Sequence, residues 1–191
     1  MIKVGVTGHR DLQKSCINHY SKQLNKLLKE LKQEYKDILV LSSLADGADR
    51  LVVFEAIKLN IPYKVILPMQ KSLYMKDFSK ESKDEFLKLI HLAQDVLILP
   101  LHQDTKTHKQ ISEYNHYRDL QYELSGKYIS DNSDILIALW DGKYIGLIGG
   151  TSEIVKYHLK KKDFKMYVLY VSREKDITNT MVKFRLYEDS S

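Results

Sequence analysis

The sequence contains little cysteine, proline and glycine: its 191 residues include one cysteine, Cys16, three prolines and eight glycines. A single cysteine excludes an intramolecular disulfide and any zinc site built from several cysteines. No apolar run approaches the roughly 20 residues that span a bilayer, and the first residues have the pattern of a strand rather than of a signal peptide. We therefore expect a cytoplasmic protein without a membrane anchor and without a bound metal ion.

Arginine is also scarce. The 30 basic residues are 25 lysines and five arginines, the formal net charge is +5, and the lysines are spread over almost every polar segment. Forked arginine donors suit the recognition of bases and phosphates better than scattered lysines do. We therefore do not expect nucleic acid as the partner, and the positions of Arg10, Arg50 and Arg118 are more informative than the total charge.

Short apolar runs alternate along the chain with segments whose apolar residues recur every three or four positions. The runs predict strands over residues 2–6, 38–42, 63–67, 96–99, 135–140 and 166–171, and the periodic segments predict helices over residues 17–35, 48–59, 82–93, 112–128 and 152–161. Residues 135–139 are apolar throughout, which is typical of a parallel strand covered on both faces. The sequence therefore predicts an α/β fold with a Rossmann-like, doubly wound, mostly parallel sheet flanked by helices. We expect a single domain over residues 1–191, with residues 181–186 as a C-terminal edge strand.

Ligands of an open parallel sheet bind outside the carboxyl ends of its strands. The candidate ligand-binding residues follow the first, second and fifth predicted strands, with one more on the helix before the fifth: Gly8, His9, Arg10, Ser43, Asp46, Gly47, Asp49, Arg118, Asp141, Gly142, Gly149, Gly150, Thr151, Ser152 and Glu153. Because these loops meet at one edge of the sheet, we expect a single binding site there.

Each group in this set has a functional and a structural interpretation. Gly149 and Gly150 precede a helix and aim free N–H groups at an anion, or they form an ordinary helix start. Arg10 binds a phosphate, or it pairs with a nearby aspartate. Asp46 and Asp49 accept hydrogen bonds from a ribose, or Asp46 and Gly47 simply form a turn.

Two further residues also have two interpretations each. Arg118 shares a predicted helix with Tyr114, Tyr117 and Tyr122, a stripe that stacks on a base or, as such stripes more often do, packs in the core or in a dimer interface. Glu153 is a candidate catalytic acid or base, or a capping residue of its helix. Neither a complete P-loop nor a dinucleotide fingerprint is present, since residues 5–8 stop after two glycines. We therefore expect no cofactor.

Four segments taken in order resemble the SLOG superfamily. They are residues 4–10 (VGVTGHR), 43–50 (SLADGADR), 133–142 (SDILIALWDG) and 149–154 (GGTSEI). This Rossmann-like group contains the DNA-processing protein DprA, the Lonely Guy enzymes, YpsA-like proteins and sensor domains of bacterial antiviral systems. The resemblance implies a pocket for a nucleotide or a phosphorylated ribose derivative.

The resemblance also favours some candidate functions over others. Lonely Guy enzymes carry a Pro-Gly-Gly-x-Gly-Thr-x-x-Glu motif, whereas here the proline and third glycine are missing and Glu153 follows Thr151 by two residues. The pattern is therefore closer to the sensor and YpsA-like branches, which implies a sensor of an ADP-ribose-like ligand in antiviral signalling, with an effector protein as partner. The alternative is a nucleoside 5′-monophosphate phosphoribohydrolase that uses Glu153, and the lowest alternative is DprA-like binding of single-stranded DNA. Family members commonly form dimers, so a homodimer or higher homo-oligomer is expected.

Overall fold

A computed structural model describes residues 1–174 and 184–188, and within these ranges one seven-stranded sheet forms the centre of the protein. The strands are β1 (Ile2–Gly8), β2 (Ile38–Ser42), β3 (Tyr63–Leu67), β4 (Asp95–Ile98), β5 (Ile135–Trp140), β6 (Lys165–Tyr170) and β7 (Phe184–Glu188). The helices are α1 (Ile17–Tyr35), α2 (Ala48–Lys58), α3 (Lys71–Tyr74), α4 (Lys80–Leu92), α5 (His116–Asp131) and α6 (Thr151–His158). The predicted Rossmann-like α/β fold is confirmed.

The strand order is β4-β3-β2-β1-β5-β6-β7, and only β7 is antiparallel to its neighbour. From β1 the chain builds the sheet outward to β4, and then returns to place β5 on the other side of β1. The connections on the two sides therefore diverge at the carboxyl ends of β1 and β5. Such a switch point leaves a crevice in an open parallel sheet.

The central strands are apolar throughout because both of their faces are covered. In β5, Ile135, Ile137 and Leu139 pack into one core with residues of α1, α2 and α4. Leu136, Ala138 and Trp140 pack into a second core with residues of α5 and α6. Successive side chains of a strand point to opposite faces, so an unbroken apolar run serves two helical layers.

Local sequence explains where the helices begin and which face they bury. The side chain of Asn115 accepts a hydrogen bond from the backbone N–H of Arg118 at 3.2 Å, so α5 begins at His116 and not at residue 112 as predicted. Ser79 caps α4 in the same way. The predicted period of α1 is confirmed, since its buried residues are Tyr20, Leu24, Leu27, Leu28 and Leu31.

Among the described residues, no helix has the length and apolar character needed to cross a bilayer.

The bounds of the C-terminal strand and one short helix differ from the prediction. The C-terminal edge strand is present as β7, while residues 181–183 of the predicted segment lie outside the described residues. The four-residue helix α3 was not predicted, because a single turn shows no apolar period.

Candidate functional site

A cleft of about 410 Å³ opens at the carboxyl ends of β1 and β5. Its wall comes from the end of β1 and the loop after it, the loop after β2, residues of α5 between Asp119 and Ile129, and the loop that leads into α6. The structure brings these predicted residues together in the wall: Gly8, His9, Arg10, Ser43, Asp49, Gly149, Gly150, Thr151 and Ser152. The remaining predicted residues, Asp46, Gly47, Arg118, Asp141, Gly142 and Glu153, lie outside the described wall.

Arg10 supplies a partly exposed cation to the cleft. Its side chain is 38% exposed, and its guanidinium carbon lies 5.2 Å from the centre of the Tyr122 ring. Burial opposes the charge, but Tyr74, Tyr122 and Asp77 together raise the pKa of Arg10. Its closest carboxylate oxygen, Oδ2 of Asp77, is 3.7 Å from Nη1, beyond hydrogen-bond distance. Arg10 is therefore permanently charged and retains donors for a ligand.

Arg118 lies behind the cleft wall and supports Arg10 indirectly. Its side chain is 1% exposed, and it donates to Asp77 Oδ1 at 2.7 Å, to Tyr122 Oη at 2.8 Å and to backbone carbonyls. Tyr122 in turn donates to Asp77. Of the two interpretations of the tyrosine stripe, packing therefore describes Arg118 and Tyr122, and Arg118 is too buried to contact a base.

The start of α6 forms a second polar part of the cleft. Gly150 is the N-cap of this helix, and Ser152 in its first turn is 2% exposed. The hydroxyl of Ser152 has no hydrogen-bond partner among the described residues, and Ser152 lines the cleft. The first N–H groups of a helix also lack intrahelical partners. This end of the cleft therefore combines an unpaired hydroxyl with backbone donors suited to an anion.

Gly149 positions this helix start against α5. Its φ is +70°, and a Cβ at this position would lie 2.8 Å from the carbonyl oxygen of Asp119 and 2.9 Å from the amide nitrogen of Glu123. A side chain would therefore separate the loop from α5. The structure therefore supports one role for Gly149, which is to let the loop approach α5 closely.

His9 and Asp141 join the ends of β1 and β5. His9 Nε2 lies 3.0 Å from Asp141 Oδ1, although the contact lacks the alignment of a hydrogen bond. Burial lowers the pKa of His9 despite the neighbouring Asp141, so the imidazole is neutral at pH 7. His9 lines the cleft, whereas Asp141 and Gly142 are not among the residues that line it.

The loop after β2 is held by Asp49. Its carboxylate accepts hydrogen bonds from the Ser43 N–H at 3.0 Å and the Ser42 hydroxyl at 3.2 Å. Burial raises the pKa of Asp49 to about 6. Asp49 lines the cleft, and the loop hydrogen bonds all end on its Oδ2. Asp46 lies farther out and pairs with Arg50 at 2.9 Å.

Gly47 connects this loop to the loop after β1. Its φ is +77°, and a Cβ there would collide with the carbonyl oxygens of His9 and Arg10. The absence of a side chain lets the two loops approach each other, which brings Arg10 and Asp49 into one cleft.

Glu153 lies in the first turn of α6 outside the cleft wall. The aspartates that line the cleft are Asp11, Asp49 and Asp119, and Asp11 is paired with Arg173 at 2.9 Å. Glu153 is therefore not among the residues that line the cleft. Among residues 1–174 and 184–188, no cluster of three or more histidine, cysteine or acidic side chains is arranged to hold a metal ion.

Several residues that line the cleft were not in the predicted set. Tyr74 reaches it from the unpredicted helix α3, and Ile145, Leu147 and Ile148 come from the loop before α6. The loop residues could have been recognised from the sequence. Apolar residues in a glycine-containing loop have no core to pack into, so they are candidates for contact with a ligand. Tyr74 had none, since its helix is a single turn.

The comparisons with known proteins identify the fold. The sequence matches no protein-family model and no curated protein. Among solved structures, DNA processing protein A (DprA) from Streptococcus pneumoniae is similar, with a TM-score of 0.54 and 16% identity over 87% of this chain and 50% of that chain. DprA from Helicobacter pylori has a TM-score of 0.51 and 14% identity over 92% of this chain and 67% of that chain. This chain thus spans half the length of the Streptococcus protein.

The expectation that nucleic acid is not a partner is wrong. The Helicobacter structure is described by its single-stranded DNA binding mode, so a protein with this fold binds DNA. The expectation relied on the dispersal of the lysines along the sequence. Composition does not show which cation the fold places in a cleft, and here that cation is Arg10. At identities of 14% and 16% the likeness establishes the fold and nothing finer. The chain has the Rossmann-like fold of the DprA proteins.

Proposed function

We propose that the protein binds the phosphate group of a nucleotide in the cleft at the ends of β1 and β5. The observation that carries this proposal is the buried, unpartnered hydroxyl of Ser152, which lines the same cleft as the cationic Arg10. A buried polar group without a partner costs about 1–3 kcal/mol, so native proteins rarely keep one without a ligand or water. A phosphate offers several acceptor oxygens to these donors.

The size and composition of the cleft fit a small ligand. Its volume of about 410 Å³ lies within the range of small-molecule sites. Ser43 and Asp49 add polar groups beside the donors, where they suit the hydroxyls of a ribose. The class of ligand is therefore a nucleotide or a phosphorylated ribose derivative. A sensor role for an ADP-ribose-like molecule in antiviral signalling, and the likeness to YpsA-like proteins, stay predictions from the sequence resemblance.

Calorimetric titration with AMP, ADP, ADP-ribose and ribose 5-phosphate tests the proposal. We expect at least one of them to bind, and Arg10→Ala to weaken that binding by roughly 10-fold or more, because charge-assisted hydrogen bonds contribute about 1.5–3 kcal/mol. Arg185→Ala is the matched control, since Arg185 is exposed on β7. No binding by any of these ligands, or equal affinity of wild type and Arg10→Ala, would refute the proposal.

The second candidate function is binding of single-stranded DNA. It is favoured by the structural likeness to DprA from Helicobacter pylori and by the net charge of +5. A protein that contacts several phosphates of one strand loses affinity steeply as salt rises, with a slope of about −0.7 per phosphate. Affinity for oligothymidylates that grows with length and falls with this steep slope supports DNA. A mononucleotide that binds as tightly as the oligonucleotide supports the first proposal.

A further inference from the structure

The mouth of the cleft carries an exposed apolar rim, formed by Tyr114, Ile145, Leu147 and Ile148. All four side chains line the cleft, with exposures of 72%, 52%, 61% and 42% in that order. Large apolar side chains exposed together at the edge of a cleft usually mark a contact with a ligand or partner. The rim is therefore a candidate contact surface for a ligand.

The fold brings the two parts of this rim together. Gly149 contacts the backbone of Asp119 and Glu123, so the loop that carries Ile145, Leu147 and Ile148 ends against the first turns of α5. Tyr114 lies two residues before α5, and its ring centre is 6.4 Å from that of Tyr122. The exposed phenol ring and the aliphatic loop thus belong to the same end of the cleft.

The rim continues directly into the polar part of the cleft. Arg10 lies over the Tyr122 ring, and the loop of Leu147 and Ile148 leads through Gly150 into the anion site at Ser152. A ligand held by its phosphate at Ser152 and Arg10 would extend its remaining atoms toward the rim. The four rim side chains are aromatic or aliphatic, so they favour an apolar surface, and the face of a nucleotide base offers one.

We infer that the rim binds the base of the nucleotide, with the ring of Tyr114 stacked on the base and the aliphatic loop covering it. The inference rests on the proposed phosphate site and names the ligand more closely: a nucleotide that keeps its aromatic base. Stacking on an aromatic side chain tolerates different bases, because every base has a π-face. The rim accepts the base of a free nucleotide or of a nucleotide within single-stranded DNA.

Paired titrations with AMP and ribose 5-phosphate separate the base from the phosphate. Both ligands carry the same sugar and a 5′-phosphate, and only AMP carries a base. We expect wild type to bind AMP more tightly, and Tyr114→Ala to weaken AMP by roughly 10-fold, the size of effect that removal of one stacking side chain has in single-strand binding proteins. The affinity of Tyr114→Ala for ribose 5-phosphate should equal that of wild type.

Two control variants keep this result specific to stacking. Tyr114→Phe retains the ring and should bind AMP as wild type does. Tyr117→Ala removes a tyrosine that is 37% exposed on α5 and lies outside the cleft wall, so it should change neither affinity. Because Tyr114 is largely exposed, we expect Tyr114→Ala to melt at the same temperature as wild type.

The outcomes distinguish this inference from the proposal on which it rests. Equal affinity of wild type for AMP and ribose 5-phosphate, or equal loss of both in Tyr114→Ala, would overturn the base site and leave the phosphate site standing. Failure of wild type to bind either ligand or a short oligothymidylate would overturn both. Loss of oligothymidylate binding in Tyr114→Ala, with unchanged affinity for AMP, would contradict stacking of a free nucleotide and assign the rim to DNA.

Discussion

The guanidinium of Arg10 lies over the ring of Tyr122, with 5.2 Å between its central carbon and the ring centre. The same ring is held from behind by Arg118, whose Nε donates to the Tyr122 oxygen at 2.8 Å. Two arginines therefore contact the same tyrosine and have different roles. The buried Arg118 fixes the ring, and the ring supports the partly exposed Arg10 at the cleft.

Replacement of Arg118 by alanine should destabilise the protein strongly. Arg118 is the closest cationic partner of the buried Asp77, at 2.7 Å, and its loss leaves that carboxylate without its main partner. Removal of one member of a buried ion pair typically costs about 3–5 kcal/mol. Urea denaturation measures the free energy of unfolding, with Arg185→Ala as a control that should change it by less than about 0.5 kcal/mol. A loss below about 1 kcal/mol for Arg118→Ala would show that the network is dispensable.

Replacement of Ser152 by alanine should affect binding without harming the fold. The hydroxyl has no partner within the described residues, so its removal should leave the free energy of unfolding unchanged or raise it by about 1 kcal/mol. Affinity for the nucleotide should fall about 10-fold, because the phosphate loses a hydrogen bond to a buried donor.

Ser130 is the matched control, because its buried hydroxyl has a partner and does not line the cleft. Its buried hydroxyl contacts His158 Nδ1 at 2.9 Å and lies outside the cleft. Ser130→Ala should therefore lower stability by about 1 kcal/mol and leave nucleotide affinity unchanged. If both serine variants behave alike in calorimetry and in denaturation, the hydroxyl of Ser152 has no special relation to a ligand.

Asp49 should make stability depend on pH between about 4 and 6. Burial raises its pKa in the folded protein to about 6, whereas the unfolded value is 3.8. In this window the folded state keeps a proton that the unfolded state releases, so the contribution is complete below pH 4 and is lost as pH rises through 6. The total is roughly 3 kcal/mol, since one pKa unit corresponds to 1.36 kcal/mol.

The Asn variant isolates this effect from other titrating groups. Asp49→Asn has no proton to release, so the difference in the free energy of unfolding between wild type and variant should change by about 2 kcal/mol, most of that total, from pH 4 to pH 6.5. Wild type should lose stability relative to the variant as pH rises. A difference that stays constant across these pH values would show that the pKa of Asp49 is normal.

Glu153 should be dispensable for both binding and chemistry. Its position outside the cleft wall gives it no contact with the ligand. We expect Glu153→Gln to bind the nucleotide with wild-type affinity, and neither protein to release free adenine from AMP, as followed by chromatography. Adenine release that disappears in Glu153→Gln would restore the hydrolase hypothesis.

The fold could be predicted from the sequence because its main signals are local. A short apolar run rich in isoleucine and leucine, such as residues 135–139, indicates a strand covered on both faces, and the period of α1 indicates a helix with one buried face. The β-α alternation then placed the polar loops at one edge of the sheet, which is why Arg10 and Gly149 were assigned to one site.

The division of roles within the site could not be predicted in the same way. Spacing places Arg118 and Tyr122 on one helix face, but it does not show whether that face meets solvent or the core. The answer depends on Asp77 and Leu73, which are more than 40 positions away and accept from the Arg118 guanidinium. The place of Glu153 likewise depends on how α6 is rotated against the sheet, which no local pattern specifies.

A crystal structure of the protein with AMP would show where the phosphate binds. We expect density for the nucleotide in the cleft, with a phosphate oxygen within hydrogen-bond distance of the Ser152 hydroxyl and of the Arg10 guanidinium. AMP bound elsewhere on the protein, or an empty cleft at a concentration that saturates binding in solution, would contradict this expectation.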